Sequence, residues 1–292
     1  MNFIDHSTPP THVNFYNPND EETTYTYQIL KASNIINSGD KVSPRTKLIE
    51  AGHWRNLKTW LALKSDGKCW FCEAKENRAT YDVEHFRPKN QVKVNKKVLK
   101  FPVSHSRSGE IFDGYWWLSY DWTNYRLSCQ RCNRLDTDSI TSTVHGKGNE
   151  FPLIDENQRC WDETFKLNDE QPYLLDPCNQ SDTYLLLHPR GGSVFPTYSD
   201  TNCIDHHRAQ FTISFLGLNA YRVKEKKLEI QNTLECILEP QVGKFDLPIK
   251  VQNEILKRLC PCSEYYSFSK SIILEFREDI PWLENQLTSM GL

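Results

Sequence analysis

"CWFCEAKENRATYDVEHFRPK", residues 69–89, sets a Cys-x-x-Cys pair just ahead of a β-prone run in which an acidic residue and a histidine stand side by side. The run "YDVEHF" predicts a short strand ending at Arg87-Pro88, because proline blocks the continuation of a central strand. Asp82 and Glu84, two positions apart, then share one strand face. A second pair with the same spacing, Cys129-x-x-Cys132, follows after 56 intervening residues. Four thiolates offered as two tight knuckles suit the tetrahedral preference of a structural Zn²⁺. The competing readings are four ordinary buried or free cysteines, and a thioredoxin-like redox pair. The latter needs a βαβ setting that neither pair has.

Composition narrows the compartment and the class. A chain of 292 residues, 38% hydrophobic and 25% charged, suits a globular protein with one or two cores. It has no apolar run near the ~18 residues that span a bilayer, so no membrane partner is expected. The start "MNFIDHSTPPTHVNF" lacks the basic and apolar segments of a signal peptide, so a cytoplasmic location is expected. In a reducing compartment, paired cysteines more often bind metal than form structural disulfides. Cys160, Cys178, Cys203, Cys236, Cys260 and Cys262 lack such spacing and read as buried free thiols.

The formal net charge of −3 hides an asymmetry. From Lys64 to Arg134 there are 14 Lys/Arg against 8 Asp/Glu, a surplus of +6, while the remainder holds 21 against 30, or −9. The basic region coincides with the cysteine pairs, as expected where one part of a chain meets phosphate and another does something else. Residues 1–40 are rich in Pro, Asn, Thr and Asp and read as an extended lead-in. The segment 41–150 reads as a domain carrying the knuckles, opened by a helix over "SPRTKLIEAGHWRNLKTWLALKSDGK" that Gly67 closes. Residues 151–204 read as a loop-rich connector, and 205–292 turn helical.

A histidine beside a carboxylate at a strand end can act as a general base while the carboxylate holds a hard cation. That pairing alone is weak, since such a histidine is commonly a surface or satisfied one. The second knuckle strengthens it with Asn124 five residues before Cys129, and Asn133 fixed in space by the metal ligand beside it.

At these positions the sequence resembles the HNH nucleases, in their zinc-bound branch with two Cys-x-x-Cys knuckles. The family pattern is an acidic residue and a histidine on the first strand, a central asparagine nine positions before a final His or Asn, and a following helix. Here these fall on Glu84-His85, Asn124 and Asn133. The 38 residues between His85 and Asn124 exceed the family's usual gap. The resemblance implies that His85 is the general base and that Glu84 and Asn133 are ligands of one catalytic Mg²⁺, Mn²⁺ or Ni²⁺. It further implies that Asn124, counted with the catalytic set, bonds backbone to hold the ββ turn. Asp82 is then a supporting neighbour of the ligands, and Arg87, Lys89, Arg126, Arg131 and Arg134 are candidates for phosphate contact.

The wider arrangement "VEHFRPK", "GYWWLSYDWTNYRLSCQRCN", "FPL", "LLDPC" and "HHRAQFTISFLGLN" is similar to the PtuB family, the HNH component of Septu-type antiphage systems that also occurs in some retron-linked operons. That similarity implies a toxic endonuclease hydrolysing DNA or transfer RNA, held in check with an ABC-type ATPase partner of the PtuA kind. The partner is expected on the helical C-terminal region. The implied fold class is α+β and mostly α-helical: a ββα-metal core with Cys₄ zinc knuckles plus a helical accessory region. The alternative is a non-catalytic zinc-stabilised nucleic-acid-binding or adaptor module.

Other side chains read as structural. His105 and His145 are expected in loops, and His206-His207 at a helix start, since adjacent helical residues point about 100° apart. Trp116, Trp117, Tyr120 and Trp122 are expected in the core more than stacked on bases.

Overall fold

The computed structural model describes residues 1–10, 52–76, 79–92 and 112–292, together with residues 31, 33–35, 37, 46, 47, 49 and 50. The expected loop position of His105 lies outside the described residues, as does the Lys-rich stretch that follows Val92. Among the described residues the architecture is mostly helical with three small antiparallel sheets, each of two strands.

The sheet that matters most pairs β1 (Asp82–His85) with β2 (Tyr125–Ser128), in the register Asp82↔Ser128, Val83↔Leu127, Glu84↔Arg126 and His85↔Tyr125. Along β1, Val83 and His85 are buried while Asp82 and Glu84 are half-buried on the opposite face. This is the period-two alternation expected of a strand with one packed side. A one-turn helix, α2 (Gln130–Asn133), follows β2 directly and packs on β1.

Before β1, a 3₁₀ turn at His53–Leu57 leads into α1 (Lys58–Ser65). The single helix expected across this region is interrupted at Gly52, whose φ of +64° is left-handed. A Cβ there would meet the Arg55 guanidinium at 2.6 Å. The expected stop holds: Asp66 and Gly67 both take positive φ, and the Gly67 N–H caps the Ala62 carbonyl at 2.8 Å. Trp54, Leu57, Leu61, Trp70, Trp116, Tyr120, Tyr125 and Leu127 form one buried cluster over the inner face of β1–β2. The aromatic run is therefore largely core, with Trp117 and Trp122 packed at its margin.

After α2 come β3 (Asp136–Thr137) and β4 (Val144–His145), which pair with each other. His145 thus sits in a strand, where a loop was expected, and its Nδ1 lies 2.6 Å from the Ser214 carbonyl. The 151–204 segment has little regular structure: α3 (Gln180–Thr183) and the pair β5 (Leu186–Leu187) and β6 (Phe195–Pro196). It is nonetheless deeply packed. Phe151, Leu153, Leu174 and Leu175 are fully buried with the knuckle cysteines, and so are residues of α4 (Ile204–Phe215). His206 and His207 lie in the first turn of α4, as their spacing suggests.

A separate apolar cluster joins α5 (Val223–Leu238), α6 (Ile249–Arg258), α7 (Tyr266–Glu275) and α8 (Pro281–Ser289). The core boundary therefore falls after α4, while helical sequence begins before it. Of the six cysteines expected as buried free thiols only Cys160 is one: Cys178 and Cys203 are free but half-buried, and Cys260 and Cys262 are joined as a disulfide. Cys236 is also not buried; it is exposed on α5. No helix among the described residues is long and apolar enough to cross a membrane.

Candidate metal centre and adjoining cleft

Cys69 and Cys72 leave the turn that follows α1, and Cys129 and Cys132 flank the start of α2, so pairing β1 with β2 brings the two knuckles together. The four Sγ atoms lie within 4.8 Å of one another. Cys72 Sγ and Cys129 Sγ are 3.8 Å apart, which matches the edge of a tetrahedron with Zn–S bonds of about 2.3 Å. The Cys129 N–H points at Cys69 Sγ at 3.3 Å, a contact that favours thiolate. Three of the four cysteines are buried. Four sulfurs with no open position can hold a metal such as zinc, and they form the sole such group of His, Cys, Asp and Glu among the described residues.

Next to this centre, Glu84, His85, Pro88, Lys89, Asn90, Asn133, Arg134, Gly148 and Asn149 line a cleft of about 260 Å³. His85 is 2% exposed and held from three sides. The rings of Trp54 and Tyr125 meet it edge-on, at 4.9 and 5.0 Å between centroids. Its Nε2 lies 3.0 Å from the Ser119 carbonyl. A carbonyl only accepts, so Nε2 carries the proton and Nδ1 keeps the lone pair. Burial, and then the Lys89 ammonium, hold the imidazole well below its usual range, against the opposing pull of the Ser119 bond.

Asn124 is buried, and its amide closes a two-way clasp on Arg87: Oδ1 accepts the Arg87 N–H at 2.8 Å and Nδ2 donates to the Arg87 carbonyl at 3.0 Å. The clasp fixes the turn that leaves β1. The Asp82 carboxylate reaches Asn133: Oδ2 accepts from Asn133 Nδ2 at 2.9 Å, while Arg134 grips both carboxylate oxygens at 2.9 and 3.0 Å. Asn133 Nδ2 is thus committed to Asp82, and the residue lines the cleft. Glu84 Oε1 accepts from Lys147 Nζ at 2.5 Å, and no hydrogen bond reaches Oε2 among the described residues. A carboxylate oxygen and an amide oxygen on one cleft suit a hard dication that keeps several waters.

The chain is similar to the Septu protein PtuB. The match is to PtuB of Bacillus mycoides (strain KBAB4), 26% identical over 191 residues, which is 64% of this chain and 54% of the relative. The match thus spans about half of that PtuB's length. No family model matches the chain.

In this PtuB-like chain the five basic candidates for phosphate contact separate by environment. Arg126 is withdrawn from solvent: it pairs with Asp176 through Nε and Nη2 at 2.7 and 2.6 Å, and its Nη1 donates to two backbone carbonyls. Its assignment to phosphate contact is corrected, because the side chain is buried and four of its five N–H groups are bound inside the protein. Arg87 is engaged as well, by Glu170 at 2.7 Å, within a network that includes Tyr115 and Arg159. Lys89 lines the cleft with its ammonium 4.9 Å from the Trp54 ring centre. Arg131 and Arg134 are exposed, Arg131 over Tyr221 and Arg134 on Asp82.

Lys147 is the residue that sequence reasoning missed. It is fully buried, and its ammonium bonds both Glu84 and the His85 carbonyl, the latter at 3.0 Å. The only local signal is its placement in "GKG": Gly146 takes φ +107°, and a Cβ there would lie 2.0 Å from the Arg134 carbonyl oxygen.

Proposed function

We propose that this chain is a metal-dependent endonuclease of the HNH kind, hydrolysing phosphodiester bonds of DNA or transfer RNA. In this reading β1, β2 and α2 are the ββα-metal core, the four cysteines are its structural zinc site, and 41–150 is the nuclease domain. Similarity to PtuB supports a role as a toxic effector of antiphage defence, in a retron-linked or stand-alone Septu setting. An ABC-type ATPase would be its partner, and the helical 205–292 region the place to meet it.

One observation carries the catalytic assignment: a buried histidine, its tautomer set by the Ser119 carbonyl, shares a cleft with the Glu84 carboxylate and the Asn133 amide. Hydrolysis needs a deprotonated water in line with the leaving oxygen, and stabilisation of the charge that develops on phosphate. His85 Nδ1, neutral across the physiological range because the ring is desolvated, takes the proton from water. A dication held by Glu84 and Asn133 would supply charge stabilisation at the phosphate and the leaving 3′ oxygen. Asp82 orients Asn133, Asn124 fixes the turn beyond the base, and Lys89, Arg131 and Arg134 offer cationic contact to the polymer.

Purified protein offered plasmid DNA and total transfer RNA, with Mg²⁺, Mn²⁺ or EDTA, tests the class. Cleavage of either polymer that EDTA abolishes is the expected result. Salt-dependent binding with no cleavage under any metal, with the ATPase present, would favour the binding-module alternative instead.

A further inference from the structure

The feature of the cleft that the nuclease reading leaves unused is the Lys147–Glu84 pair. A buried lysine usually marks a group with a fixed task, because burying an ammonium without a partner is costly. Lys147 is 0% exposed and is sewn in by its own backbone. Its N–H donates to the Cys132 carbonyl at 2.9 Å, the Gly146 N–H to Phe215 at 2.7 Å, and the Gly148 N–H to Asn133 at 2.7 Å. Both anchors on α2 adjoin or include metal-centre residues. The backbone at Lys147 is thereby fixed, and the buried ammonium is held by Glu84 and the His85 carbonyl.

Charge bookkeeping in the cleft follows from that rigidity. Glu84, Lys89 and Arg134 line the cleft, with Lys147 paired to Glu84 and Asp82 to Arg134 behind them, so these five groups carry one net positive charge. Half of Glu84 is already committed to Lys147. An ammonium a few ångströms from the ion offsets part of the attraction of one monodentate carboxylate oxygen, so the free cleft holds a dication weakly. A phosphodiester entering the cleft reverses the balance. We propose that Lys147 is a built-in counter-ion of Glu84 that keeps the dication affinity of the free cleft low, so that the ion is held firmly only together with the substrate's phosphate. By linkage the phosphate is then also bound more tightly in the presence of the ion. The inference rests on the reading of Glu84 as a ligand, and it makes Lys147 a positioning residue whose effect passes through that carboxylate.

The test is Mn²⁺ binding to zinc-loaded protein without nucleic acid, followed by the electron paramagnetic resonance signal of free Mn²⁺. Wild type should bind weakly. Lys147→Met should bind Mn²⁺ more tightly, by roughly tenfold or more, and Lys147→Arg, which keeps the charge, should match wild type. Glu84→Gln in the Lys147→Met background should remove the gain. Lys147→Gln serves as a second charge-removing variant should Lys147→Met fold poorly, as judged by zinc content and thermal midpoint. Unchanged or weaker Mn²⁺ binding in folded Lys147→Met or Lys147→Gln would overturn the counter-ion role and leave a structural clamp. If instead the tightening appears and survives Glu84→Gln, the ion sits elsewhere, and the ligand reading itself fails.

Discussion

At the scale of single residues, the site depends on which side chains burial has committed and which it has left free. His85 is desolvated, and its conjugate acid is disfavoured. The direction of that shift sets a sign: a depressed histidine stays neutral, and so competent as a base, at pH values where a free one is half protonated. The acidic limb of the cleavage profile is accordingly expected below about 6.5; an acidic limb at or above that value would contradict the geometry. Arg126 is a contrasting case. Its guanidinium is the buried partner of Asp176, so Arg126→Ala leaves a carboxylate uncompensated and should cost about 3 kcal/mol of stability, read from denaturant unfolding. Arg131→Ala, at an exposed position, should leave stability within about 0.5 kcal/mol of wild type.

At the scale of elements, two strands and one helical turn lie between a buried aromatic cluster and the four-cysteine centre. The β1–β2 ladder is four residues long on each side, too short to persist without packing. Cys129→Ser should therefore lower zinc content below one per chain and unfold the 68–135 region, seen as lost near-ultraviolet dichroism from its tryptophans. A native spectrum with no bound zinc would remove the structural role assigned to the knuckles. What the sequence revealed here was local. Cys-x-x-Cys spacing and the β-alternation of "YDVEH" act within a few residues and are found where expected, while the strand ends at His85, short of the expected stop at Arg87-Pro88. What it concealed was non-local. Arg126 reads as a surface cation until its partner, 50 residues on, is known. Lys147 reads as a loop lysine until Glu84, 63 residues back, is placed beside it. The break at Gly52 escaped because the apolar spacing on either side of it is helical, and only the left-handed backbone separates the halves.

At the scale of the whole molecule, the C-terminal helices are clamped onto the first knuckle. Lys68, immediately before Cys69, is buried and donates to the Pro261 carbonyl and, at 2.9 Å, to that of Ser263. The Glu264 carboxylate accepts the Lys75 N–H at 3.0 Å, and Glu73 accepts the Ser267 N–H at 2.8 Å. The Tyr265 N–H closes on the Glu73 carbonyl at 3.2 Å. A region proposed for partner contact is thus also part of the support of the metal centre. Removing residues 240–292 should lower the thermal midpoint and speed zinc loss to a chelator, measured with a colorimetric zinc indicator. Unchanged zinc release would show that the clamp contributes nothing to the knuckle.

The central claim is that His85 is the base of a phosphodiesterase site. It is tested most directly by comparing wild-type and His85→Ala proteins of equal zinc content for cleavage of DNA and transfer RNA in Mg²⁺ or Mn²⁺, with the proposed ATPase partner present. Cleavage by wild type and a loss of at least about a hundredfold in His85→Ala is the predicted result; cleavage at equal rates by both proteins would contradict it.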